Sequence, residues 1–153
     1  MADLNLLDFY KDTAKILLQL HQSFPRKVEV YIEDLIGTDH VDDFGLHSKR
    51  HESCFGAMLW LADEGYLRFQ NTIHQDGIDQ AILTAKTINL LGIVYHPTGD
   101  IKTTKPHTSE LVSTFECNEK FTMIEHIRRS LTSGSSEHIT SIIRVLFTIK
   151  PNS

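Results

Sequence analysis

The chain has 153 residues, 41% of them apolar and 23% charged, with a formal net charge of −5 and two cysteines. A chain of this size and composition can bury about two thirds of its unfolded surface, which excludes a disulfide-stapled miniprotein and a chain disordered along its length. No apolar run approaches the roughly 18 residues that a spanning helix needs, and the acidic start "MADLNLLDFYKD" lacks the basic flank and apolar core of a secretory leader.

A cytoplasmic protein is therefore expected, with Cys54 and Cys117 as reduced thiols. The charge is uneven. Residues 1–92 carry 8 Lys and Arg against 14 Asp and Glu, net −6, and the remainder carries net +1. An acidic unit exerts no general attraction on phosphates, so any contact with nucleic acid has to come from a local basic patch.

The first element is a helix over 5–22, because Leu6, Phe9, Tyr10, Ile16, Leu17 and Leu20 form a helical stripe. Phe24-Pro25 ends it. Val28, Val30 and Ile32 then alternate as in a short strand. "EDLIG" reads as one helical turn stopped by Gly37, followed by an acidic connection over 38–47. Ser48 is the expected N-cap of a helix over 49–64, and Gly65 its C-terminal glycine.

Leu67, Phe69 and Ile73 alternate with polar residues, and Asp76-Gly77 signals a hairpin. A two-residue loop would set Ile73 against Gln80 and mix the faces. A four-residue loop, His74 to Gly77, sets Ile73 opposite Ile78 and Phe69 opposite Ile82, and this register is preferred. Thr84 should cap a short helix, "AKTINLL", stopped by Gly92.

Residues 93–108 hold two prolines and a glycine and read as a linker. Two helices follow. One spans roughly 109–132, with a possible break near Cys117-Asn118 and apolar residues Phe121, Ile124, Ile127 and Leu131. The other spans 136–149, where Ile139, Ile142, Ile143 and Leu146 fall at i, i+3, i+4, i+7. "TSGSS" joins them as a tight turn with an N-cap serine, giving an αα-hairpin.

The order helix, strand, short helix, long helix, two-stranded wing over residues 5–92 resembles the winged helix-turn-helix family. The run "LADEGYLRF" followed by "ILTAKTINLL" carries the resemblance most clearly: it looks like the end of a recognition helix, the wing, and the helix after it. The fold this implies is α+β and mainly helical: a winged-helix domain (1–92), a linker (93–108) and a C-terminal helical hairpin (109–153). The function it implies is a dimeric DNA-binding regulator. Lys49, Arg50 and His51 at the start of the 49–64 helix would meet DNA, with Arg68 and Lys86 assisting.

Three features depart from the DNA-binding pattern. The turn before the long helix is about ten residues rather than three or four, it carries Asp39, Asp42 and Asp43, and the wing tip "HQDG" has no Arg or Lys. These favour the alternative use of such domains, as protein–protein adaptors. The apolar stripe Ile139, Ile142, Ile143 and Leu146 must be covered by the winged domain or by a second copy, and a homodimer through it is expected.

His47, His51 and Cys54, with Asp43, have the residue types of a zinc site. Two points count against it: Ser48 as N-cap leaves His47 outside the helix, and Cys54 lies on the apolar stripe beside Phe55 and Met58. Neither a metal nor a cofactor is therefore expected. The nine histidines are scattered, and no nucleophile elbow, H-E-x-x-H or P-loop is present, so no catalytic residue is assigned. "SGSS" at 133–136 belongs to the helix turn, and "IKTTK" at 101–105 reads as solvated linker.

Overall fold

Helix α1 (Leu4–Ser23) is the element on which the others converge. The computed structural model describes residues 4–38, 42–95 and 121–149. Thr13, Ile16, Leu17 and Leu20 lie one turn apart along α1 and are all buried. Strand β1 (Val28–Tyr31) leads directly into helix α2 (Ile32–Ile36), whose Ile32 and Leu35 face inward. Lys15 Nζ, reaching across from α1, donates to Leu35 O at 2.7 Å and satisfies one of the carbonyls left over at the end of α2.

Helix α3 (Lys49–Asp63) is bounded by the residues that the sequence chemistry singles out. Ser48 Oγ accepts from His51 N at 3.2 Å. At the other end Gly65 has φ +83, its N–H donates to Ala62 O, and Tyr66 N–H donates to Leu61 O. This 6→1 and 5→2 pair is a Schellman motif, whose left-handed residue glycine adopts without strain.

Strands β2 (Leu67–Arg68), β3 (Asn71–Ile73) and β4 (Gly77–Leu83) complete an antiparallel sheet. β4 is central, with β1 on one side and β2 and β3 on the other. The hairpin register differs by one residue from the four-residue loop expected from sequence. Ile73 pairs with Gly77 and Arg68 with Ile82, leaving a three-residue turn, His74 to Asp76. The reason lies in the third strand. Gly77 pairs with Tyr31 of β1, where a Cβ would overlap the Val30 carbonyl oxygen. The glycine is thus used for close strand approach and not for the turn. Between Val30↔Ile78 and Val28↔Ala81 the register shifts, and Gln80 has φ +53. This bulge lets Ile78 and Ala81, three residues apart, both reach the core.

Helix α4 (Ala85–Leu91) follows. Thr84 occupies its N-cap position but makes no capping bond; its hydroxyl donates instead to Gly65 O at 2.7 Å. Residues 93–95 are not a free linker: Val94 bridges Thr122, and Tyr95 N and Met123 N donate to Phe121 O and Ile93 O. Helix α5 (Met123–Ser133) begins at a Thr122 cap. The expected helical stretch 109–120, including the break near Cys117, lies outside the described residues, as does "IKTTK". Gly134 at φ +72 and the Ser135 cap then turn the chain into helix α6 (Ser136–Thr148).

The C-terminal hairpin packs within the chain. Both α5 and α6 pack on α1, and one continuous apolar cluster runs from Ala14 to Leu146. The hairpin is therefore not a separate packing unit. Ile139, Ile142, Ile143 and Leu146, the stripe through which a homodimer is expected, are at most 5% exposed within a single chain, so of the two coverings open to this stripe the chain itself supplies one. The molecule is α+β and mainly helical, with six helices among the described residues. No helix there is long and apolar enough to cross a membrane.

Candidate functional site

The start of α3 is where the sequence concentrates its candidate residues, and the structure separates them. Lys49 is exposed. Arg50 turns inward onto α1. Its two terminal nitrogens donate to the two carboxylate oxygens of Asp12, both at 2.6 Å, and its Nε lies 3.6 Å from Asp8. Asp8 and Asp12 sit one turn apart, so α1 presents both to the same guanidinium. The Asp12 side chain is 1% exposed, and this fork-to-fork pair satisfies it. The hydrogen bonds to Asp12 raise the Arg50 pKa further above its ordinary value. Burial, then the neighbouring charge of Lys11, lowers the pKa of Lys15 on the same helix.

His51 is buried, and its Nε2 lies 2.7 Å from Gln75 O in the β3–β4 turn. Its ring stacks on that of His47, with centroids 3.8 Å apart and planes within 5°. Asp76 follows in the same turn, its Oδ1 3.6 Å from His47 Nε2 and 3.9 Å from His51 Nε2. In front of this group opens a pocket of about 420 Å³ lined also by Tyr31, Glu33, Gly37 and Thr38. Cys54 is fully buried, and burial with the adjacent Asp12 charge pushes its thiol up to about 12. It is an inert core group.

The remaining expected contacts lie at the far end of α3. Arg68 is exposed on β2, and Lys86 is engaged: its Nζ donates to Glu64 O at 3.1 Å and sits 4.1 Å above the Tyr66 ring. A 15-residue helix is about 22 Å long, so Lys49 and the Arg68–Lys86 end do not share a basic patch. Of the five residues expected to meet DNA, Arg50, His51 and Lys86 are committed to contacts inside the chain, and Lys49 and Arg68 are exposed.

The outer face of α3 carries Glu52, Ser53, Gly56, Trp60 and Asp63. Beside it, Asn5, Leu6 and Phe9 of α1 complete a shallow groove of about 420 Å³ over Gly56 and Ala57. Leu4, Leu6 and Trp60 are 72%, 46% and 40% exposed, an unusual amount of large apolar side chain at one helix pair. Sequence reasoning missed Asp12 as the Arg50 partner. The available signal was a carboxylate at position 12, one turn from Phe9 and Ile16 on the apolar stripe of α1, where a charge needs a partner. Comparison with protein-family models, with curated proteins and with solved structures returns no match.

Proposed function

We propose that this protein is a cytoplasmic protein-interaction module of winged-helix type, and that the outer face of α3 with the start of α1 receives a partner segment. The element order and the β1–β4–β2/β3 arrangement support the winged-helix part. One observation carries the functional part: the helix that would read DNA directs Arg50 and His51 into the molecule and turns Glu52, Gly56, Trp60 and Asp63 outward. Such a face repels phosphates and offers apolar area rimmed by carboxylates. The complementary partner is an amphipathic helix with apolar residues for Leu6, Phe9 and Trp60 and Lys or Arg for Glu52 and Asp63.

A DNA-binding regulator is the second reading, favoured by exposed Lys49 at the N-terminus of a 15-residue helix and exposed Arg68 at the wing. One pair of titrations separates the two. The interaction reading expects no binding to random duplex DNA at low salt, and a Trp60 fluorescence change with a Leu/Lys amphipathic helical peptide that Leu6→Asp abolishes. DNA affinity that falls steeply with salt and weakens in Lys49→Ala would overturn it in favour of the regulator.

A further inference from the structure

We propose that His47, His51 and Asp76 form a binding site for a divalent transition metal ion of the zinc class. Their potential ligand atoms all lie within 4.8 Å of one another. Two imidazoles and one carboxylate are a donor set that suits zinc and does not suit magnesium or calcium, which prefer all-oxygen shells.

Three segments bring these residues together. Ser48 has extended backbone, φ −67 and ψ 159, so the chain folds back before α3 starts and lays His47 over His51 instead of one turn beneath it. The three-residue β3–β4 turn then delivers Asp76 from the opposite side. The Asp76 backbone is pinned at both ends: its N–H donates to Ile73 O at 2.9 Å, and its carbonyl accepts from Ile32 N at 2.8 Å. Its side chain is 52% exposed, with room around it, whereas that of His51 is 6% exposed and enclosed. The site thus has one enclosed imidazole, one anchored backbone with an exposed carboxylate, and His47, 20% exposed, between them in exposure.

The two separations that involve Asp76 are close to those of a loaded site. With metal–ligand bonds of about 2.0–2.1 Å, tetrahedral ligand atoms sit about 3.3 Å apart. The observed 3.6 Å and 3.9 Å from Asp76 Oδ1 require a contraction of about half an ångström. The lone pairs of parallel rings run side by side, so the more exposed His47 tilts toward Asp76 on loading. His51 Nε2 exchanges its contact with Gln75 O for the ion, and any proton it carries leaves to solvent. The pocket in front leaves the fourth position to water, with Glu33 on its wall. Bound there, the ion would tie the start of α3 to the wing turn.

The experiment is a titration of the full chain, stripped with chelator, with Zn²⁺ and with Co²⁺ as a visible probe. The expected result is one equivalent of Co²⁺, tetrahedral or five-coordinate d–d bands without a thiolate charge-transfer band, and displacement by Zn²⁺. His47→Ala and Asp76→Asn, checked for native circular dichroism, should each weaken Zn²⁺ binding by more than about tenfold. Failure to bind Co²⁺ or Zn²⁺, a thiolate band implicating Cys54, or affinity unchanged in the His47→Ala/Asp76→Asn double variant would each overturn the proposal.

Discussion

At its first turn helix α3 is tied down by charge and hydrogen bonds: Arg50 clamps Asp12, His51 meets the β3–β4 turn, and Ser48 caps the backbone. At its last turn the same helix is held by aromatic rings. Trp60 packs edge-on against Phe9 at 5.2 Å and against Phe147 at 5.4 Å, and Tyr66 lies 5.2 Å from Phe147. Polar attachment is directional and fails when one partner is lost, because the other is left buried and unsatisfied. Aromatic attachment is shared among several rings and degrades in steps. One end of α3 should therefore be brittle and the other tolerant.

The sharpest test of that contrast is Arg50→Ala. It deprives the Asp12 carboxylate, 1% exposed in the intact clamp, of its bidentate partner, and about 3 kcal/mol of stability should be lost in urea denaturation. Asp12→Ala should cost less, because the Arg50 side chain is 33% exposed and can turn back to water. Replacing both, as Asp12→Leu with Arg50→Met, should recover most of the loss. If the double variant is as unstable as Arg50→Ala, the clamp is not the source of the brittleness.

Phe147→Ala tests the tolerant end. A fully buried Phe→Ala change costs about 3–5 kcal/mol, and Phe147 is only partly buried and shares its contacts with Phe9, Trp60 and Tyr66. A loss of about 2 kcal/mol is expected, together with a shift of Trp60 emission as its ring gains water. A loss above that of Arg50→Ala would reverse the ranking of the two ends.

What was legible in the sequence follows the same division between local and distant causes. Ser48 and Gly65 bound α3 because capping and left-handed backbone are decided within a few residues. The αα-hairpin at Gly134 and Ser135 was legible for the same reason. The start of α5 carries a local signal too, Thr122-Met-Ile-Glu125, which has the form of a capping box. The long helical stripe drawn from residue 109 obscured it. The hairpin register could not be read, because it is set by Gly77 against Val30, 47 positions earlier in the sequence. Nor could the site. Arg50 looks like a free cation until Asp12 is beside it, 38 residues away. Spacing alone groups His51 with Cys54, yet helical geometry sends Cys54 into the core and the fold supplies Asp76 in its place.

Ser48→Ala addresses the brittle end without touching its ions. It removes the acceptor for His51 N and should cost about 1 kcal/mol. Because the same serine holds the fold-back that stacks His47 on His51, the ring currents on both imidazoles should change in proton spectra. A stability loss with unaltered imidazole shifts would show that the fold-back survives without the cap.

Lys86→Met should have the smallest effect, and the reason sharpens the comparison. Lys86 is a cation at the aromatic end, lying over Tyr66 with its Nζ on Glu64 O. Methionine keeps most of the stem and its contact with the ring and removes the charge. A partly exposed cation over a ring is worth about 0.5–1 kcal/mol, and the Schellman bonds from Gly65 and Tyr66 already satisfy the neighbouring carbonyls. The expected loss is therefore about 0.5 kcal/mol, read from the urea midpoint at unchanged slope. A loss near that of Arg50→Ala would mean that this end of α3 also depends on a single charged contact, and the helix would then be brittle along its whole length.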